Sequence, residues 1–313
     1  MGIIKDCKLV GQGWGLANLK TREVCSVETN FRLASVSKQF TAMAVLILRE
    51  ESKFSLNREI SAFLPELETS AAGVTIRHLL VHTSGLPDYE DFIPKERTQQ
   101  VKDRDVLELI APRRAAYFDA GAKFRYSNTG YAVLALLIER LSGEHFADFL
   151  RTRIFQPLGM ANTLAYEAGI SAVPHRALGY TRRENGFQET DQSQTSAVLG
   201  DGGIYSSVAD LAKWDQALYT DGLVPLPVVK EALTASAGPT DIKDAGYGFG
   251  WYIGNASGAG SHHWHNGDTC GFSTRIERFP ARRMSIIILI NRSGVEMNEL
   301  GCRVKAAMGS EGK

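Results

Sequence analysis

The chain has 313 residues, 44% of them hydrophobic and 22% charged, which is ordinary globular composition and enough length to bury a large core. Lys plus Arg and Asp plus Glu both total 35, so no global field draws the protein to nucleic acid or an anionic membrane. Cys7, Cys25, Cys270 and Cys302 are dispersed without a Cys-x-x-Cys pair, which argues for reduced thiols over a disulfide framework or structural zinc.

The longest apolar run is too short to span a bilayer. No basic segment followed by an apolar core opens the chain, so it reads as cytoplasmic as it stands, or periplasmic or secreted after removal of a leader. In chain order, residues 2–4 and 9–16 are predicted strands around a turn at Asp6-Cys7-Lys8, and 24–31 a further strand. A helix is predicted to start near Ser35, with Phe40, Met43, Ala44, Ile47 and Leu48 at three-four spacing and Val45 and Leu46 on the remaining face, hence buried all round.

Residues 55–235 read as helices and loops. Helices are predicted over 76–81, 105–111 and 129–141, the last ending at Gly143, and over 211–219 behind a cap at Ser207. Segments 87–101 and 166–201 lack periodicity and read as loops bordering a site. From Gly246 strands return, over 247–253, 262–266, 272–279 and 284–290, before a closing helix over 297–308. The unbroken apolar run Ile286 to Ile290 predicts a strand covered on both faces. The basic residues Arg278, Arg282 and Arg283 around Pro280 read as a solvated turn. Strands at both ends with helices between predict an α+β fold: one antiparallel sheet from both chain ends, flanked by helices, with an inserted, mainly helical lobe. The expected division is 1–54 plus 240–313 for the sheet domain and 55–239 for the helical one, with the active site between them.

Three stretches carry functional groups. Ser35 and Lys38, three residues apart, share a helix face at its N-terminus, where unpaired N–H groups favour developing negative charge. A hydroxyl beside an amine there suits a nucleophile and its base. Tyr126 and Asn128 precede the apolar helix at Thr129, and His265-Asn266-Gly267-Asp268 ends one strand. Against these stand a capped helix with a solvated lysine, a packed tyrosine and a helix-capping asparagine. His263 and His265 share a strand face and could bind zinc, but no further ligand accompanies them, so no metal and no cofactor is expected. His82 reads as structural and Cys270 as a small packed residue. No Gly-x-Ser-x-Gly occurs, which removes the α/β-hydrolase reading.

In order, Ser35-x-x-Lys38, Tyr126-x-Asn128 and His265-x-Gly267 resemble the three motifs of the serine β-lactamase and penicillin-binding-protein superfamily. The branch is that of class C β-lactamase-like proteins, D-Ala-D-Ala carboxypeptidases, D-aminopeptidases and family VIII esterases. Leu79 to Leu86, Pro157-Leu158-Gly159-Met160 and Gly202 to Ser207 are similar to the same family, so the resemblance covers nearly the whole chain. It implies a β-lactamase/transpeptidase-like fold and a serine hydrolase acting through an acyl-enzyme on Ser35. Lys38 or Tyr126 would be the base, Asn128 and His265 would orient or bind substrate, and His265 could hold Tyr126. The backbone N–H groups of Ser35 and Asp268 would form the oxyanion hole, and Gly267 would let substrate run close to the strand.

Two departures stand out. Relatives commonly begin with a helix before the first strand; its absence here predicts a homo-oligomer or marginal stability. Asn266 replaces a usual Thr or Ser that helps hold a substrate carboxylate, which favours small esters over β-lactams and D-peptides. The competing class is a non-catalytic penicillin-binding or sensing module.

Overall fold

The computed structural model describes residues 1–113, 116–256 and 260–310. Its frame is a seven-stranded antiparallel sheet built from β1 (Gly2–Lys5), β2 (Lys8–Gly11), β3 (Gly246–Tyr247), β4 (Tyr252–Ala256), β5 (Gly260–Thr269), β6 (Phe272–Phe279) and β7 (Met284–Ile290), in the order β3-β4-β5-β6-β7-β1-β2. The N-terminal hairpin docks on the last strand, with Ile3 opposite Ile286 and Val10 opposite Ile3. Asp6 and Cys7 take positive φ in the tight turn between β1 and β2.

β7 is covered on both faces, as its unbroken run predicts. Ile287 and Leu289 join the main core, while Ile286 and Ile288 pack with Phe279 and Met297 beneath the closing helix Met297–Ser310. On the other side lies α1 (Lys38–Ser52), whose residues 38–48 are all buried. Phe40 meets Phe155 edge-on at 5.4 Å and Trp214 at 4.5 Å. Beside it runs α2 (Asn128–Ser142), ended by Gly143 at φ 73° as the left-handed cap. No helix among the described residues is long and apolar enough to cross a membrane.

Several elements differ from the sequence expectation. The 9–16 strand stops at Gly11, because Gly13 packs against the Cys25 carbonyl with no room for a side chain. The 24–31 strand is interrupted by a turn in which Ser26 N–H donates to Thr29 Oγ1 (2.8 Å). Strand 247–253 is broken by a turn in which Gly248 N–H donates to the Trp251 carbonyl (2.8 Å). The middle of the chain is not only helical. Phe31–Arg32, Ile204–Ser206 and Leu164–Ala165 make a small sheet, and Tyr180–Arg183 pairs with Gly186–Glu189. Arg278 is not solvated: it is fully buried, donates through Nε to Asp215 (2.5 Å) and lies over the Tyr219 and Trp251 rings.

Candidate active site

The turn bearing Ser35 is fixed from both sides. Phe31–Arg32 pairs with Ile204–Ser206, and Leu33 N–H donates to the Ile204 carbonyl (2.8 Å). Ala34 then takes φ +49°, a left-handed conformation that costs about 1–2 kcal/mol in a residue with a Cβ. The Leu33 carbonyl accepts from Thr274 Oγ1 (2.7 Å), which holds that geometry against β6. Ala34–Ser37 forms a 3₁₀ turn and Lys38 opens α1. Ser35 is the only residue from 29 to 48 that is not buried. Ser37 is fully buried, its Oγ accepting from Ile204 N–H (3.2 Å), so only Ser35 presents a hydroxyl to the cleft.

Lys38 is fully buried, with Nζ 3.0 Å from Ser35 Oγ, 2.9 Å from Asn128 Oδ1 and 2.9 Å from the Asp201 carbonyl. Two of these partners can only accept. They engage two N–H groups of the amine, and in its neutral form the lone pair is left for the Ser35 O–H. Burial lowers the Lys38 pKa to about 8, against the opposing influence of the Asp201, Asp88 and Glu90 carboxylates.

Tyr126 and Asn128 sit where the chain enters α2. The cap of that helix is Ser127, whose Oγ accepts from Gly130 N–H (3.2 Å), which leaves Asn128 free to face Lys38. The Tyr126 ring packs 4.9 Å from Lys38 Nζ. Its hydroxyl is buried and, among the described residues, has no partner in hydrogen-bonding geometry. Burial holds this phenol well above its ordinary pKa, outweighing the lowering by the nearby Ser35 hydroxyl. That disfavours a phenolate. His82, at φ +58°, brackets Tyr126: its carbonyl accepts from Arg125 N–H (2.9 Å) and its Nδ1 from Ser127 N–H (3.1 Å), with the two rings 4.4 Å apart.

Strand β5 forms the facing wall. β4 pairs with it only as far as Tyr252 opposite Trp264, so His265–Thr269 keep one edge without a strand neighbour among the described residues. His265 is buried but does not hold Tyr126. Its Nδ1 lies 2.6 Å from the Asn266 carbonyl, which only accepts, so Nδ1 carries the proton and Nε2 accepts from the Tyr247 hydroxyl (2.9 Å). Burial, then Lys38, lowers its pKa to about 3. This neutral imidazole has no N–H left for Tyr126 or substrate.

Two further expectations are corrected here. Asn266, expected at the position that helps hold a substrate carboxylate, by strand alternation faces the closing helix, where Nδ2 donates to Asn298 Oδ1 (3.0 Å) and Oδ1 accepts from Arg275 Nη1 (2.6 Å). Gly267 gives its space to the protein, not to substrate. A Cβ there would lie 2.1 Å from the Leu33 carbonyl and 2.4 Å from Thr274 Oγ1, so only glycine lets the Ser35 turn dock on β5. Asp268 is exposed at the open edge. His263 is bonded to Ser261 Oγ (2.7 Å), and among the described residues no group of three or more His, Cys, Asp or Glu could hold a metal.

Segment 166–201 is expected to border a site, but no residue from Leu199 to Asp201, which open the turn Leu199–Gly202, is singled out within it. Thr41 Oγ1 donates to the Gly200 carbonyl (2.7 Å), Lys38 Nζ to that of Asp201 and Arg32 Nε to that of Gly202 (3.3 Å), while Asp103 accepts from Leu199 N–H (2.8 Å) and Gly200 N–H (3.0 Å). The only hint was a run rich in glycine after an aperiodic loop. Glu90, in the 87–101 segment also expected to border a site, is not singled out either; its Oε1 accepts from Asn128 Nδ2 (3.4 Å) at the mouth of the site. Surface grooves of about 670 and 640 Å³ are lined by Leu136 and Glu139 and include neither Ser35 nor Lys38.

The beta-lactamase family model matches residues 1–307. Penicillin-binding protein 4* of Bacillus subtilis is 33% identical over 298 residues, 91% of this chain and 65% of that protein. A D-aminopeptidase of Gluconobacter oxydans is 27% identical over 314 residues, 99% of this chain and 58% of that protein. The chain thus spans 58% to 65% of the length of these two relatives. The penicillin-binding protein of Bacillus halodurans superposes with a TM-score of 0.85 at 28% identity, covering 98% of this chain and 94% of that one. With a family model matching almost its whole length and a β-lactamase/transpeptidase-like fold, the chain belongs to the beta-lactamase family.

Proposed function

We propose that the protein hydrolyses small carbonyl compounds through an acyl-enzyme on Ser35, with Lys38 as the base. The observation that carries this is the buried amine 3.0 Å from Ser35 Oγ, its other two contacts both pure acceptors. Ser35 Oγ attacks the carbonyl carbon while its proton moves to the Lys38 lone pair, and the carbonyl π pair moves to oxygen. The Ser35 and Asp268 N–H groups stabilise that oxyanion, a contribution of about 3–4 kcal/mol per donor in comparable sites. Collapse breaks the bond to the leaving group, which takes its proton from the Lys38 ammonium, with the Tyr126 hydroxyl as a hydrogen-bond donor to the departing atom. Water then repeats the sequence and frees Ser35.

Esters are the favoured substrates, because an alkoxide or phenoxide leaves far more readily than an amide nitrogen and Asn266, at the position expected to hold a substrate carboxylate, is bonded to Arg275 and Asn298 instead. The second reading is an acyl group bearing an ammonium, such as a D-amino-acid amide or D-peptide. Asp88 and Glu90 near Lys38 favour it, and so does the name of the Gluconobacter oxydans relative. Exposed Val10 (75%) on edge strand β2 and Trp14 (59%) beyond it support self-association as a further part of this reading.

The test compares kcat/KM for p-nitrophenyl butyrate, D-phenylalanine amide and a chromogenic cephalosporin. The ester is expected to lead. A lead for the D-amide selects the second reading. No turnover and no covalent adduct with any acylating probe would leave a binding module.

A further inference from the structure

Asp201 lies in the turn clamped behind Lys38. Its carbonyl accepts from Lys38 Nζ, and its carboxyl is also buried, only 7% of the residue being exposed. Among the described residues that carboxyl makes one hydrogen bond, from the Tyr89 hydroxyl at 3.4 Å, and no ion pair within 4 Å. A buried acid with so few partners, on the residue that binds the amine, needs a reason. We propose that the Asp201 carboxylate is the counter-charge of the Lys38 ammonium formed during acylation, a positioning residue that sets the pH range in which Lys38 works. This rests on the reading of Ser35 and Lys38 given above.

The chemistry follows from the proton path. When Ser35 passes its proton to Lys38, a positive charge appears in a site closed to water. Asn128 and the Asp201 carbonyl offer dipoles; the Asp201 carboxyl, beyond 4 Å but buried with the amine in surroundings of low polarity, offers a full opposite charge. Burial pushes the Asp201 acid up to about 6, still below the value of about 8 at Lys38. Each charge favours the other: the Lys38 ammonium holds the Asp201 carboxyl ionised against its burial, and the carboxylate raises the pKa of Lys38. It makes the amine a stronger base and opposes the burial that neutralises it.

Other charged groups face this pair. Asp88 and Glu90, at the 3₁₀ turn Tyr89–Phe92, act on Lys38 in the same direction as Asp201. Arg32 and Tyr89 favour the ionised form of Asp201, and Glu90 opposes it. Asp103 faces Asp201 from behind the turn. His82, His265 and Tyr126 flank the pair, all held uncharged by burial. Among the carboxylates acting on Lys38, Asp201 has the largest effect.

The experiment is the pH profile of kcat/KM for p-nitrophenyl butyrate in the wild type, Asp201→Asn and Asp201→Ser. Both variants keep the backbone carbonyl and remove the charge. Their acid limb is expected to move down by about one pH unit or more, so that below both limbs they gain about tenfold relative to their own plateau. The plateau falls, because the ammonium loses its counter-charge. Since the pair titrates as a unit, the wild-type acid side should need two ionisations, one more than each variant's. Thermal melting checks that the variants fold. An unmoved or upward-shifted limb in folded variants overturns the proposal. If neither variant folds, a wild-type acid side described by one ionisation overturns it. Failure of the underlying reading looks different: the wild type would then show no Ser35-dependent turnover at any pH.

Discussion

Around Lys38, polar atoms from three separate stretches, Ser35, Asn128 and Asp201, converge on one amine. On strand β5 opposite, the polar atoms are committed elsewhere: His265 to Tyr247 and its own chain, Asn266 to Arg275 and Asn298 on the other face. The first wall holds in place the groups proposed to react. The second supplies shape, a free strand edge and the glycine on which the Ser35 turn rests. Chemistry and support are thus divided between two walls, although both carry motif residues of the same family. Substitutions on the two walls should fail in different ways.

The largest effect is expected on the turn. Ser35→Ala should lower kcat by about ten-thousandfold or more with the melting temperature kept, whereas Ser37→Ala should lose only about 1 kcal/mol of stability through its bond to Ile204 N–H. Steady-state kinetics and thermal melting separate the two; a Ser37 dependence of turnover would reassign the nucleophile. Next, Lys38→Met should reduce kcat by about a hundred- to ten-thousandfold, as loss of a general base does. In the wild type, kcat/KM should rise as Lys38 loses its proton near pH 8. The group's pKa is lower folded than unfolded, so the folded state binds fewer protons between about 8 and 10.5, and wild-type stability gains from Lys38 as pH rises through that window. Denaturant melts across that range should show the gain in wild type and not in Lys38→Met.

On the strand wall, Gly267→Ala should act through the fold first. The added methyl meets the Leu33 carbonyl, so the Ser35 turn must shift. A stability loss of about 1–3 kcal/mol and a kcat loss of about a hundredfold are expected, read by urea melts and kinetics. An unchanged protein would show that the close docking is not needed. Asn266→Thr should do least. Arg275 keeps Asn298 and Glu277, so about 1 kcal/mol is at stake, and the ester-to-cephalosporin ratio of kcat/KM should stay within about threefold. A shift of tenfold or more towards the cephalosporin would put Asn266 back at the substrate.

These contrasts trace what the sequence could and could not carry. The Ser35–Lys38 spacing predicts the central contact, because a helix brings residues three apart onto one face whatever surrounds it. The sheet from both chain ends follows from strand signals alone. The side on which Asn266 points was also within reach: His265 and Gly267 share a face, so Asn266 must take the other. Reading the motif as a unit hid that alternation. The Leu199–Gly202 turn was out of reach, since its carbonyls meet Arg32, Lys38 and Thr41 across more than 150 residues of chain. The small sheet joining Phe31–Arg32 to Ile204–Ser206 is equally long-range, and neither strand is long enough to leave a periodic signal. Ala34 in the left-handed region is a consequence of packing, not of its own preference.

The central claim is that Ser35 is the acylated residue and that Lys38 activates it. The most direct measurement is intact-protein mass and peptide mapping after exposure to an alkyl fluorophosphonate near pH 8, where Lys38 begins to lose its proton. The account predicts one phosphonyl group per chain, on the peptide containing Ser35. It should be absent in Ser35→Ala and form at least about a hundredfold more slowly in Lys38→Met. Equal labelling of Ser35→Ala, or labelling of Ser35 at an unchanged rate in Lys38→Met, would contradict it.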